Sequence, residues 1–346
     1  LHPFGYENFC EEVVKMLLGS DHPARIENCA FAIQTISGTA ALRIGAEFLV
    51  NELGRTRIYG AEQQPEYVAA IFSKAGFTEF YEYHYFNRYT LSLDIDAMLK
   101  DLCEAQEGSV IFLQLCGHNP TGCDPTLTDW ERIATIIGKR RLIPFFNSSF
   151  QGFVSGDIDI DAWSVRHFAS RGIELFCAQT FSTNFSLYSE RVGALTIVLS
   201  SPHKVNAVKS HLLNTVIPMY GSPPSHGARV VAFILGNRTL NDSLRETIAS
   251  IASRLKQMRQ YLREELERLG APGTWVHITA QVGNFCFTGF NDVQVQHMRK
   301  QHHIYMLNSG GMTISGINPD NVQYVAKAMN RTLQVIPPNY IRKKST

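Results

Sequence analysis

Between residues 109 and 199 short apolar runs alternate with longer helical patterns. Ser109-Val110-Ile111-Phe112-Leu113-Gln114-Leu115 is the first run and ends at Gly117-His118-Asn119-Pro120. Leu142-Ile143-Pro144-Phe145-Phe146 is the second, Glu174-Leu175-Phe176-Cys177-Ala178 the third and Ala194-Leu195-Thr196-Ile197-Val198-Leu199 the fourth. Runs this short and this apolar read as buried strands. A helix, Trp130 to Ile137, lies between the first two, with Gly138 as its expected stop. Another, Ala162 to Phe168, lies between the second and third. Strands separated by helices pair through crossovers, so the expected class is α/β: a large, mostly parallel sheet with helices on both faces.

From Asn241 to Leu269 the pattern is helical without a break. Leu244, Ile248, Ile251, Leu255, Met258, Leu262 and Leu266 recur at three- and four-residue steps, and Gly270 follows as a stop. A helix of that length can carry the chain out of one domain into the next, and 346 residues are enough for about two domains. Residues 1–245 are expected to form the large domain and 246–346 a small C-terminal α/β domain. In the latter, Phe285-Cys286-Phe287 and Ile304-Tyr305-Met306 read as short strands, and Val322 to Met329 as a last amphipathic helix.

Composition excludes several classes of partner. Charged residues are 18% and the net charge is +1, which gives no general field for nucleic acid or for an anionic membrane. No apolar run reaches the length of a membrane span. Neither partner is expected. The chain begins at Leu1 rather than Met with no signal-like segment, and reads as a fragment, a processed form or the ordered part of a longer intracellular protein, cytoplasmic or mitochondrial. Seven scattered cysteines read as reduced thiols rather than a disulfide framework. There is no Cys-x-x-Cys pair and no His-Glu-x-x-His helix, so no metal site is expected. His297, His302 and His303 read as a polar helix face or end.

One turn has the chemistry of an anion site. Ser37-Gly38-Thr39 precedes a helical stretch, Ala40 to Leu49. A small-residue turn at a helix N-terminus offers free N–H groups, hydroxyls and the positive end of the helix dipole, which suits a phosphate. The same three residues also suit plain N-capping. Arg191, in a turn after an apparent strand, can add a bidentate phosphate contact, and Thr180 and Ser182 add hydroxyls.

Ordered matches along nearly the whole chain turn these groups into one site. Gln34-Thr35-Ile36-Ser37-Gly38-Thr39, His118-Asn119-Pro120-Thr121-Gly122, Phe150-Gln151-Gly152-Phe153, Phe176 to Phe185, Glu190-Arg191-Val192-Gly193, Pro218-Met219-Tyr220 and Pro272-Gly273-Thr274-Trp275 carry the resemblance. Together they resemble the aspartate aminotransferase family, class I enzymes that use pyridoxal phosphate (PLP). The resemblance implies the fold type I architecture of PLP-dependent transferases and a homodimer. The family's N-terminal arm, which reaches across the dimer, would fall at or before Leu1. Ser37, Gly38, Thr39, Thr180, Ser182 and Arg191 match the family's phosphate cup, and Asn119 matches the residue that hydrogen-bonds the ring hydroxyl.

The reacting half of the resemblance is altered. Thr183 stands where the family has the lysine that forms the Schiff base, and a hydroxyl cannot form an imine. Asn147 replaces the aspartate under the pyridine nitrogen, and Phe150 replaces a tyrosine. Pro65 replaces a stacking tryptophan, while Gln114 and Val68 replace two histidines. Gly311 replaces the arginine that grips the substrate α-carboxylate, and Ile217 the arginine given by the neighbouring subunit. Gly221 replaces a serine of the subunit contact. An engineered lysine knockout would change position 183 alone.

The resemblance with these departures implies a pseudoenzyme: no catalytic residue, no substrate clamp, and a dimeric scaffold or interaction subunit for an unidentified protein partner. Two other readings fit the same residues. One is a non-covalent binder of PLP or another phosphorylated small molecule, with no cofactor at all an equal expectation. The other is an active enzyme, either an aspartate/2-oxoglutarate aminotransferase or one of altered PLP chemistry.

Overall fold

The computed structural model describes residues 2–337. Seven strands form the main sheet: β1 (Ala30–Thr35), β2 (Arg57–Ala61), β3 (Glu79–Tyr83), β4 (Val110–Gln114), β5 (Ile143–Ser148), β6 (Leu175–Thr180) and β7 (Gly193–Val198). Their spatial order is β1-β7-β6-β5-β4-β2-β3. All neighbours pair in parallel except β7, which runs antiparallel to both β1 and β6. The strands expected at 109–115, 142–146, 174–178 and 194–199 are thus β4 to β7.

Alternation along each strand sends side chains to two cores. Phe146 and Cys177 join one, with the helices Glu7–Leu18, Ile95–Glu104, Leu127–Lys139, Trp163–Ser170 and His226–Gly236. Phe145 and Phe176 join the other, under the helices Gly38–Asn51, Glu66–Lys74 and Val205–Tyr220. Helices on both faces of a largely parallel sheet make this the expected α/β class.

One packing detail fixes where the site lies. The helix Gly38–Asn51 crosses the sheet at Gly45, where an added Cβ would sit 2.6 Å from Phe145 Cζ. Only a glycine lets this helix lie so close. Phe145 is fully buried and meets Phe72 edge-on at 5.5 Å, a pair worth about 1 kcal/mol beyond its burial. The helix is therefore pinned to the middle of the sheet, and its N-terminus is held at the carboxyl end of β1.

The long helix spans Arg238–Arg268, followed by Leu269 and a left-handed Gly270. Ile248 belongs to the first core, whereas Leu255, Met258, Leu262 and Leu266 belong to a third, C-terminal core, and Ile251 touches both. The helices Asp292–His302 and Val322–Val335 pack on that third core. The expected division at 245/246 falls inside this one helix.

Two local expectations are corrected. Gly138 does not stop its helix, which runs Leu127–Lys139; the turn comes at Arg141, in the left-handed region at φ 49°. Ile304-Tyr305-Met306 is not a strand. Ile304 N–H closes back on the Met298 carbonyl at a helix end, and Phe285–Phe287 pairs instead with Gly311–Thr313. Of the three histidines, His297 lies in the middle of the helix Asp292–His302, His302 ends it and His303 is its left-handed cap. All seven cysteines are free, and five are buried. Among the described residues no helix is long and apolar enough to cross a membrane.

Candidate functional site

In an open α/β sheet ligands bind beyond the carboxyl ends of the parallel strands. Four of those ends here carry predicted site residues. β1 leads into Ser37, the N-cap of the helix Gly38–Asn51, whose hydroxyl accepts the Ala40 N–H at 3.1 Å. That bond uses an acceptor lone pair and leaves the hydroxyl proton free to donate. Capping and anion binding are therefore compatible at Ser37. The N–H groups of Gly38 and Thr39 have no acceptor within the helix, as at any helix start.

β6 ends at Thr180, close beside this turn. A Cβ on Gly38 would lie 2.8 Å from Thr180 Cβ. Gly193, which opens β7, pairs with both Thr35 and Thr180. A Cβ there would lie 2.3 Å from the Ser37 carbonyl carbon and 2.6 Å from Gly38 N. The two glycines let three backbone segments meet with no side chain between them. Thr180 Oγ1 donates to Ser182 Oγ at 3.2 Å and accepts the Ser182 N–H at 3.3 Å. Hydroxyls and free N–H groups so gathered, at the positive end of a helix, are donors arranged for an anion.

Arg191 takes a left-handed turn (φ 55°) two residues before Gly193. It is exposed, and its guanidinium donates to the Tyr188 carbonyl at 3.2 Å. Thr39 is also exposed, at the helix start. Thr183 is half-buried in the irregular segment after β6, and its carbonyl accepts the Ser186 N–H at 3.2 Å.

The second group stands at the ends of β4 and β5. Asn147 lies in register between Gln114 and Ala178. Gln114 brackets the backbone of Asn119: its Oε1 accepts the Asn119 N–H at 2.8 Å and its Nε2 donates to the Asn119 carbonyl at 2.9 Å. This bracket, unforeseen in the sequence, fixes the Asn119-Pro120 turn. Next to it His118 is fully enclosed, stacked on Tyr85 at 4.0 Å and bonded to Thr121 Oγ1 at 2.9 Å. Burial pushes the His118 pKa down to about 3, so this ring is neutral and structural.

The C-terminal core reaches this turn. Pro120 packs against Gly311, where a Cβ would stand 3.2 Å from both Pro120 Cβ and Leu307 Cδ1. Phe150 meets Phe285 edge-on at 5.2 Å. Gly122 abuts the Phe285 carbonyl, and its own carbonyl accepts the Val282 N–H at 2.6 Å. Arg259, on the long helix and only 2% exposed, donates to the carbonyls of Ile278, Val282, Gly283 and Phe285. It holds that segment in place from behind.

Other predicted positions lie elsewhere. Val68 is buried in the second core and Pro65 is the N-cap of the helix Glu66–Lys74. Ile217 is 52% exposed on the helix Val205–Tyr220, and Gly221 follows that helix.

Helices on both faces of a sheet ordered this way, with an anion cup at the helix after β1, define the fold type I architecture of PLP-dependent transferases. The family described as aminotransferase class I and II matches residues 1–329. Cytoplasmic aspartate aminotransferase of Gallus gallus is 42% identical over 337 residues, 96% of this chain and 82% of that protein. The cytoplasmic aspartate aminotransferase of Caenorhabditis elegans is 39% identical over 335 residues, 97% and 82%. Among solved structures, a mitochondrial aspartate aminotransferase from Trypanosoma brucei superposes with a TM-score of 0.91 at 38% identity, covering 94% of this chain and 85% of that one. An aromatic-amino-acid aminotransferase from Burkholderia pseudomallei, covalently bound to pyridoxal phosphate, gives 0.93 at 33% identity, with 96% and 83% covered. This chain belongs to the class I and II aminotransferases and is aspartate-aminotransferase-like.

The residues present fit PLP by halves. The cup has the donors a phosphate needs. Thr183 offers a hydroxyl, which forms no imine with an aldehyde. Asn147, at the end of β5, carries an amide, which supplies no charge. The donors gathered at Ser37, Gly38, Thr180 and Ser182 suit a phosphate.

Proposed function

We propose that this aminotransferase relative does not transaminate, and that it acts as a dimeric scaffold or interaction subunit. Thr183 carries the reading, because no amine stands where the resemblance requires one. Gly311 supports it. An arginine there would have to displace Leu307 and Pro120, whose atoms lie 3.2 Å from its Cβ position. Losing a clamp on a substrate carboxylate costs about 2–5 kcal/mol of binding. The exposed Ile217 and Met219 on the helix Val205–Tyr220 support a second copy as the partner. The compartments named for the relatives support a cytoplasmic or mitochondrial setting.

The convergence of Ser37, Gly38, Thr180 and Gly193 favours a second reading within the first: the cup holds a phosphorylated small molecule, PLP among the choices, by reversible contacts. A coupled assay with aspartate and 2-oxoglutarate tests the loss of turnover, and light scattering tests the dimer. Calorimetry with phosphate, PLP and pyridoxamine phosphate tests the cup. Turnover that follows the protein through purification would return it to the active aminotransferases its relatives are named for.

A further inference from the structure

The C-terminal core holds a partly open cavity of about 130 Å³ that plays no part in the site above. Its walls include Phe290, Ile304 and four of the chain's eight methionines: Met298, Met306, Met312 and Met329. Phe290, Met298 and Met329 are buried, whereas Met306 and Met312 are half-buried and form the outer wall. We propose that this cavity is a binding site for a small, uncharged aromatic molecule of about one ring.

A buried water needs two to four polar partners. The lining offers few that are free. The Thr288 hydroxyl donates to the Gly310 carbonyl at 2.8 Å, and the Gly316 carbonyl accepts from Asn321 Nδ2 at 2.9 Å. Met298 Sδ already accepts from Thr332 Oγ1 at 3.2 Å. No charged side chain lines the space. Only the hydroxyls of Thr313 and Tyr305, both at the exposed rim, remain to hold water there, and an apolar cavity of about 150 Å³ in another protein takes up benzene or xenon. The volume therefore sets the size of the guest, and the lining sets its lack of charge.

Methionine sets its aromaticity. Thioethers are flexible, fit irregular guests and make favourable contacts with ring edges, worth about 0.3–1.5 kcal/mol each. Four of them around one small space give a flat ring sulfur contacts from several directions. Access lies through the segment from His303 to Gly310. Its backbone is tied by Ile304 N–H to the Met298 carbonyl, Leu307 N–H to the Gly311 carbonyl and Gly310 N–H to the Leu307 carbonyl. Tyr305 between them is 73% exposed.

The test is a benzene titration of the full chain labelled at its methionine methyl groups, read by NMR. Ring-current shifts should saturate at Met298, Met306, Met312 and Met329, while Met16, Met98, Met219 and Met258 act as internal controls and stay in place. Benzoate, the same ring with a charge, should leave all eight unmoved. Met306→Trp should fill the cavity and abolish the shifts at the other three, with the four control methyls reporting that the variant is folded. The wild-type titration stands alone if that variant is not. Shifts that are absent, that fail to saturate or that spread over all eight methionines would overturn the proposal. So would benzoate acting as strongly as benzene, or shifts that persist in folded Met306→Trp.

Discussion

Gly193→Ala is the substitution whose effect can be worked most directly from the site. The new Cβ would stand 2.3 Å from the Ser37 carbonyl carbon, 2.6 Å from the Ser37 oxygen and 2.6 Å from Gly38 N. Ordinary contacts of this kind need more than 3 Å, so the methyl must push the turn away by about an ångström. All three atoms are backbone, and no rotamer change relieves the clash. Gly193 is also held from both sides by its pairing with Thr35 and Thr180. Overpacking a tight site costs about 1–3 kcal/mol, and the upper half of that range applies here. The displaced atoms are the start of the helix that forms the cup, so phosphate affinity should fall together with stability. Urea unfolding gives the first quantity and calorimetry with phosphate the second. Gly138→Ala is the control. It lies inside an exposed helix, and its Cβ would meet only Ile173 Cδ1 at 3.9 Å. It should gain about 0.5–1 kcal/mol. A Gly193→Ala protein as stable as the parent, binding phosphate equally well, would refute the idea that this glycine holds the cup together.

Other expectations follow from the same geometry. Thr183→Lys should let PLP form an imine, seen as a shift of its absorbance band. It should give little turnover, because Asn147 and Gly311 are unchanged; family-like rates from this one change would contradict the reading of those two positions. Arg191→Ala should weaken phosphate binding by about 2 kcal/mol in calorimetry, if the guanidinium leaves the Tyr188 carbonyl for the ligand; unchanged affinity would confine Arg191 to its turn. Burial holds His118 at a pKa of about 3 and His277 at about 4, below the ordinary histidine value. Below about pH 6.5 the unfolded chain takes up protons that the folded chain refuses, so stability should fall as pH drops from 6.5 towards 4. Each such histidine contributes up to about 1.4 kcal/mol per pH unit, and His118→Gln should flatten the slope in urea unfolding at pH 7 and pH 5.

Much of the fold is legible where residues speak locally. The four apolar runs become β4 to β7 to within about two residues at each end, because strands buried on both faces need apolar side chains throughout. β2 and β3 lack that signature: they carry Arg57, Gly60, Glu79 and Glu82, and β3 at the sheet edge leaves Phe80 and Tyr81 exposed. The reversal of β7 goes with the helix-free connection of residues 181–192. Gly138 misleads because an exposed helical glycine costs only about 1 kcal/mol, which the buried face of Trp130, Ile133 and Ile137 outweighs. In the site, Ser37 and its neighbours are legible from motif and resemblance. The Gln114 bracket on Asn119 and the contacts of Gly193 and Gly311 are not, since each joins segments distant in sequence or depends on the space left by a missing Cβ.

The proposed function requires a phosphate cup that works without transamination. Adding PLP to the purified full chain, followed by borohydride reduction and mass spectrometry of the peptide carrying Thr183, tests it most directly. The account predicts a calorimetric signal for PLP that dialysis reverses, no reduced adduct on that peptide, and no turnover of aspartate with 2-oxoglutarate. A stable reduced adduct elsewhere in the site, accompanied by steady transamination, would show that another amine has taken the lysine's place and would contradict it.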